Sequence, residues 1–249
     1  MITYRSLQEI EKIRASAQLV AATLHYITPM IEPGVTTADL DHAAEAYIRQ
    51  HGGIPAFKGY RGFPATLCTS INAEVVHGIP SKKRRLQKGD IIGVDCGAIV
   101  DGYYGDHAIT FAVGEIAEET QQLIELTEAA LHAGVGQAKV GNYLSDISHA
   151  VQMVAEDRGY GVVKAFVGHG IGTALHEEPQ VPNFGPPGRG PRLRKGMVLA
   201  LEPMFNMGTC DVHILSDNWT VVTADGKLSA HFEHTVAVAE HGGIILSQL

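Results

Sequence analysis

Apolar residues recur at helical spacing from the start of the chain, with Leu7, Ile10, Ile13, Ala17, Val20, Leu24 and Ile27 following at three- and four-residue steps. Ser6 and Glu9 form a capping box ahead of them, so the pattern predicts an amphipathic helix opening at Ser6. Thr36 with Asp39 opens a second helix, carried by Leu40, Ala44, Tyr47 and Ile48 and stopped at Gly52-Gly53. Strand-like runs follow, and then the pattern repeats. Leu86 to Asp95 reads against Leu193 to Glu202, which places Asp95 opposite Glu202 at an offset of 107 residues. Asp39 to Ala44 aligns with Asp146 to Val151 at that same offset, and Gly52 aligns with Gly159. A shared offset in separated segments implies an internal duplication. Each half reads as helix, helix, then strands, with Ile116 to His132 supplying the first helix of the second half.

The duplication extends to a second carboxylate pair. Asp106-His107 is echoed by Glu233-His234, but 127 residues apart, which implies about 20 added residues between Glu202 and Glu233. Asp211 to Leu215 and Trp219 to Thr223 look like inserted strand segments around a Ser-Asp-Asn turn. The Pro/Gly-rich stretch from Pro182 to Gly190 falls inside the second half and reads as a surface loop rather than a linker. Residues 1–249 therefore read as a single domain built from halves of about 1–113 and 114–249.

Composition narrows the classes. The net charge of -8 argues against a general nucleic-acid binder, and the basic run Lys82-Lys83-Arg84-Arg85 reads first as a solvated loop. No basic-plus-apolar leader and no apolar stretch of membrane-spanning length is present. Three cysteines, Cys68, Cys96 and Cys210, without Cys-x-x-Cys spacing fit reduced thiols in a cytoplasmic protein.

Four acids placed by a duplication suggest one shared site between the halves, because clustered carboxylates repel one another unless a cation neutralises them. Asp95 and Asp106 flank Asp101-Gly102, a strong hairpin dipeptide. A fold about that pair sets Asp95 opposite Ala108, with Asp106 two residues away on the same face. His107 is either a partner that supports the ligands from behind or an outward-facing strand residue, and the alternation of faces along a strand favours the second. Gly168-His169-Gly170-Ile171-Gly172 places His169 between glycines, whose missing side chains would give the imidazole access to an ion. His77 and His176 are either satisfied buried histidines or polar groups facing a reacting carbonyl or amide. One imidazole with four carboxylates favours manganese, iron, cobalt or zinc, and two divalent ions would fit. The rivals are a structural cation site and a redox di-metal centre, although no Glu-x-x-His motif occurs at these acids.

The chain resembles type I methionine aminopeptidase across nearly its whole length. The resemblance is carried by Ser70-Ile71-Asn72 through His77-Gly78-Ile79-Pro80, Val94-Asp95 through Asp106, Gly168-His169-Gly170-Ile171-Gly172 through His176-Glu177-Glu178-Pro179, Leu201-Glu202-Pro203-Met204 and Ser229 through Thr235. It implies the α+β pita-bread fold, a pseudo-two-fold antiparallel sheet covered by two helix pairs. It implies that Asp95 chelates one metal, that His169 and Glu202 hold the other, and that Asp106 and Glu233 bridge them, with Glu202 also handling the proton of the attacking water. His77 and His176 would contact the scissile peptide. Tyr60, Phe63, Cys68, Leu175 and Trp219 would form an apolar pocket for a methionine side chain, and a monovalent cation is implied near Asn72 and Ser229. The implied substrate is the N-terminal methionine of a nascent polypeptide with a small second residue, acted on by a cytoplasmic monomer with transient ribosome association, no specific nucleic acid and no membrane.

The chain departs from that family's pattern at Phe57 and Val76, where cysteine is common, and at Ala73, His107, Leu175 and His231. These departures bear on pocket shape and metal preference, since all five expected ligands remain. Two rivals stay in view. A proline-specific peptidase of the same fold would usually carry a substantial N-terminal domain, whereas the first helix is expected at Ser6. A non-catalytic interaction module would be expected to have lost a ligand.

Overall fold

The computed structural model describes residues 1–156 and 158–249. Helix α1 spans Leu7–Ile27, with both bonds of the Ser6/Glu9 capping box made, and it buries Ile10, Ile13, Ala17, Val20, Leu24 and Ile27. Helix α2 spans Thr37–Gln50 and opens on the Thr36/Asp39 capping box. Helix α3 spans Glu118–Gln137, so it starts later than Ile116 and runs on past His132. Its extension passes through Gly134, where an added Cβ would stand 3.0 Å from Val151; the bare backbone lets the next helix close on it. That helix, α4, spans Leu144–Glu156. The duplicated Asp39 and Asp146 do the same local work, each accepting the backbone N–H three residues earlier, from Thr36 at 3.0 Å and Tyr143 at 2.7 Å. Asp146 also accepts from Gly188 at 2.7 Å, tying α4 to the surface loop that follows Pro182.

Among the described residues the principal sheet has nine strands, paired antiparallel throughout. From one edge its path runs Ile54–Pro55, Ile91–Val100, Tyr103–Ala112, Glu233–Ala237, Val198–Leu201, Gly168–Gly170 and Glu177–Val181. Leu67–Ile71 also pairs with Ile91–Val100, and Ile244–Ile245 with Glu233–Ala237. The two halves meet where Tyr103–Ala112 pairs with Glu233–Ala237, which makes one continuous sheet out of the duplicated units.

The period of two along these strands separates the faces. Ile92, Val94, Cys96 and Ala98 are buried with Val20, Leu24, Leu40 and Ile48 of α1 and α2. Leu199, Leu201 and Val236 are buried with Leu123, Leu131, Ile147 and Val151 of α3 and α4. Both helix pairs thus cover one face. The other carries Asp95, Asp106, Glu233 and His169, and it is roofed by the segment around Tyr60–Gly62 and by the inserted hairpin of Val212–Ile214 and Val221–Thr223, which pairs with Glu74–Val76. No helix among the described residues is long and apolar enough to cross a membrane.

Candidate metal centre

Asp101 at φ 49° and Gly102 at φ 79° are both left-handed, the requirement of the two-residue turn whose twist matches its flanking strands. The resulting register pairs Asp95 with Ala108, and Asp106 follows two residues from Ala108 on the same face. From the other side, Glu233 also pairs with Ala108. His169 pairs with Ala200, so Glu202, two residues on from Ala200, shares its face. Strand register alone therefore gathers four carboxylates and an imidazole from five separate segments.

The glycines beside His169 serve the strands rather than access to the imidazole. A Cβ at Gly168 would lie 2.3 Å from the carbonyl oxygen of Ala200, and one at Gly170 would lie 2.4 Å from that of Glu178. His169 Nδ1 sits 2.9 Å from the Gly170 carbonyl, to which it donates. Nε2 is left as the lone-pair nitrogen, 3.5 Å from Glu202 Oε1. Donor atoms of Asp106, His169 and Glu233 all lie within 4.8 Å of one another, and the three side chains are buried. Asp95 and Glu202 flank this triad on the same cavity wall.

The charge balance of the site points to a cation. Burial pushes the Asp95 carboxyl up to about 7, and burial with mutual repulsion holds Asp106, Glu202 and Glu233 well above the usual carboxylate range. Asp95 Oδ1, Glu233 Oε1 and His231 Nε2 are buried with no hydrogen-bond partner. Burial holds His169 down to about 3, so its imidazole is neutral and able to ligate. Orphaned acceptors, crowded acids and a neutral imidazole fit a divalent ion of the borderline-to-hard class.

A cavity of about 370 Å³ opens on these residues and brings together every expected ligand, both remaining histidines and all five expected pocket residues. Phe63, Cys68 and Leu175 form a buried apolar wall, and Trp219 meets Phe63 edge to face at 5.1 Å. His77, held at φ 61°, stands edge-on to Phe166 at 5.5 Å, and burial lowers its pKa to about 4. His176 is lowered by burial and then by the Arg61 guanidinium, and its ring lies 4.3 Å from that of His169. Asn72 and Ser229 are adjacent, the Ser229 N–H donating to the Asn72 carbonyl at 2.9 Å, but neither lines the cavity, and the Asn72 side chain is engaged by Asp90 and the Ile91 N–H.

Several wall residues were not foreseen as such: Arg61, Phe166 and Gln180 line the cavity, and so does Phe57, read only as a departure from a pattern. Arg61 alone carried a local signal, in the glycine-flanked turn where it adopts φ 49°. The expectation for His107 needs correction. It turns away from the acids, but not to solvent. It is 5% exposed, bonded through Nδ1 to the Glu233 carbonyl and stacked on His234 at 4.4 Å, because the helix face of the sheet is itself covered. The basic run is also partly engaged, with Arg84 bonded to Glu74 at 2.6 Å and Arg85 to the Gly34 carbonyl at 2.7 Å.

Comparison with known proteins agrees with this geometry. A profile of metallopeptidase family M24 matches residues 11–240. The chain is 56% identical over 247 residues to a methionine aminopeptidase of Clostridium acetobutylicum, covering 99% of each. It is 49% identical over 249 residues to methionine aminopeptidase 1 of Bacillus subtilis, covering 100% of each. The crystal structure of methionine aminopeptidase from Rickettsia prowazekii matches with a TM-score of 0.98 at 40% identity, covering 100% of both chains. A prolidase from Pyrococcus horikoshii, with a TM-score of 0.80 at 22% identity and 63% of its chain covered, shares the fold alone. The architecture is the α+β pita-bread fold, and the chain belongs to metallopeptidase family M24, within its methionine aminopeptidases.

Proposed function

We propose that this protein, as a single catalytic domain, removes the N-terminal methionine from nascent proteins and peptides whose second residue is small. The observation that carries the reading is one cavity with two unlike walls: the acids and His169 on one side, and an apolar recess of Phe63, Cys68, Leu175 and Trp219 on the other. A recess lined this way accepts one unbranched apolar side chain while its backbone lies against the polar wall. Asp95 would hold one divalent ion, His169 and Glu202 a second, with Asp106 and Glu233 shared between them. Cobalt, manganese, iron and zinc all suit the donor set. Bound there, the ions supply Lewis acidity and lower the pKa of the attacking water.

The chain's own groups do the rest. Glu202, with 15% of its side chain exposed, is less covered than Asp106 or Glu233, and its raised pKa suits it to take and return the water proton. His176 donates to the carbonyl oxygen as charge develops there, and His77 contacts the scissile amide, both acting as neutral imidazoles. A monovalent cation near Asn72 and Ser229 would brace the strand ends behind the site. Transient ribosome association would rest on Lys82 and Lys83, the members of the basic run whose side chains have no hydrogen-bond or ion-pair partner among the described residues, in a cytoplasmic monomer.

The test is methionine release from a Met-Ala-Ser peptide, against Xaa-Pro and Leu-led peptides, after chelation and readdition of manganese, iron, cobalt or zinc. Release of methionine alone, restored by metal, supports the reading. No release with any metal by folded protein would turn belief to a binding module, and cleavage of Xaa-Pro alone to a proline-specific peptidase.

A further inference from the structure

We propose that Tyr60, beyond lining the apolar recess, is a positioning residue that fixes the tautomer of His176. The inference rests on the reading of His176 as a hydrogen-bond donor to the scissile carbonyl. Tyr60 Oη lies 2.8 Å from His176 Nδ1, and the two rings are 5.3 Å apart and tilted by 30°. A neutral imidazole carries one proton. If Nδ1 held it, Nε2 would present a lone pair to the carbonyl oxygen, and the two would repel. With the phenol hydroxyl donating to Nδ1, the proton must sit on Nε2, and the face left free is a donor. The hydroxyl has no other partner among the described residues, so its proton is available for this bond.

The backbone around Tyr60 is built to hold that contact. Tyr60–Gly62 forms a tight turn closed by four backbone bonds: Gly59 N–H to the Phe63 carbonyl at 2.8 Å, Tyr60 N–H to that of Phe57 at 2.9 Å, Gly62 N–H to that of Gly59 at 3.2 Å, and Phe63 N–H to that of Tyr60 at 2.9 Å. The Arg61 guanidinium lies 5.4 Å from the Tyr60 ring centroid. The phenol is thus held on one side by the turn and on the other by the imidazole. A residue serving only as an apolar wall would not need its hydroxyl.

Tyr60→Phe removes that hydroxyl and little else. For Met-Ala-Ser hydrolysis by the metal-loaded enzyme, kcat is expected to fall roughly 10-fold with KM within about 2-fold, the signature of an interaction that matters in the transition state. Long-range nitrogen–proton NMR of the zinc-loaded protein, labelled at histidine, should show the His176 proton on Nε2 in the parent and a mixture of tautomers in Tyr60→Phe. In a His176→Ala background, Tyr60→Phe should add less than about a 2-fold loss. A parent His176 protonated on Nδ1, an unchanged kcat in Tyr60→Phe, or an equal loss with and without His176 would each overturn the proposal. Full turnover by metal-loaded His176→Ala would instead sink the underlying reading of His176, a result distinguishable from all three.

Discussion

Asp95 and Glu233 share one neighbour: each is paired across from Ala108, from opposite sides of the Tyr103–Ala112 strand. One acid comes from each half of the duplication, and the row through Ala108 is where the halves meet. With Asp106 two residues along, three carboxylates occupy a patch only a few ångströms across, and the electrostatics of the site follow from that crowding.

The metal-free protein should therefore lose stability as pH rises. Asp95, raised to about 7 from the ordinary 3.8, contributes stability that is complete below about 4 and lost as pH passes 7. Asp106, Glu202 and Glu233 are also held well above the usual carboxylate range, by burial and mutual repulsion, and act in the same sense. His77 and His107, lowered to about 4, His169 and His231, lowered to about 3, and His234, lowered to about 2, act oppositely and outnumber the acids, costing stability as pH falls below about 6.5. Thermal unfolding of chelated protein should peak near pH 6.5 and decline toward pH 8, by up to about 1.4 kcal/mol per pH unit for each proton involved. Saturating manganese should flatten the decline; a metal-free profile that rises from pH 6.5 to 8 would contradict the reading.

Metal should also stabilise at fixed pH. At 100 times its dissociation constant, a bound ion adds about 2.7 kcal/mol, which in a chain of this size raises Tm by roughly 5 to 10 °C. Asp106→Asn, which alters one of the closely grouped donors, should abolish most of that increment. An equal increment in parent and variant, measured by calorimetry, would place the ion elsewhere.

Glu202→Gln and His176→Ala should fold normally and lose about 10² to 10⁴ in kcat. Metal content measured on the same samples decides the cause, since His176→Ala is expected to retain its full load. Unchanged hydrolysis with full loading in either variant would remove the role assigned to that residue.

Trp219→Ala should act mainly on binding. The indole is half-buried at the cavity mouth, 5.1 Å from Phe63 and 6.4 Å from His77. Losing about 1.5 to 3 kcal/mol of apolar contact would lower kcat/KM by roughly 10- to 100-fold, most of it in KM. A loss confined to kcat would mean that the indole orients the reacting groups instead.

His107→Ala should destabilise, although an outward-facing strand residue could be exchanged within about 0.5 kcal/mol. The substitution deletes the partner of the Glu233 carbonyl and the stack on His234, at a cost of about 1 to 3 kcal/mol, or roughly 2 to 12 °C in Tm. A neutral result in urea titration would mean that water replaces the imidazole without cost.

The sequence by itself determined whatever depends on neighbours along the chain. The capping boxes at Ser6 and Thr36, the Asp101-Gly102 turn with its Asp95–Ala108 register, and the repeated segments at a constant offset are local signals, written within a few residues of where they act. The carboxylates were legible for the same reason, because a duplication displays both members of each pair. Tertiary structure decided what arrives from elsewhere. His107 could be read as facing away from the acids, but only α3, which brings His132 to 6.1 Å from His234, turns that face into an interior. Gly168 and Gly170 read as leaving an imidazole open to an ion, whereas what their missing side chains admit is the carbonyls of Ala200 and Glu178. The cavity wall of Phe57, Arg61, Phe166 and Gln180, and the bond from Tyr60 to His176 across 116 positions, have no periodicity to betray them. Periodicity records which face of an element is covered, whereas the identity of the covering residue is settled only when distant segments pack.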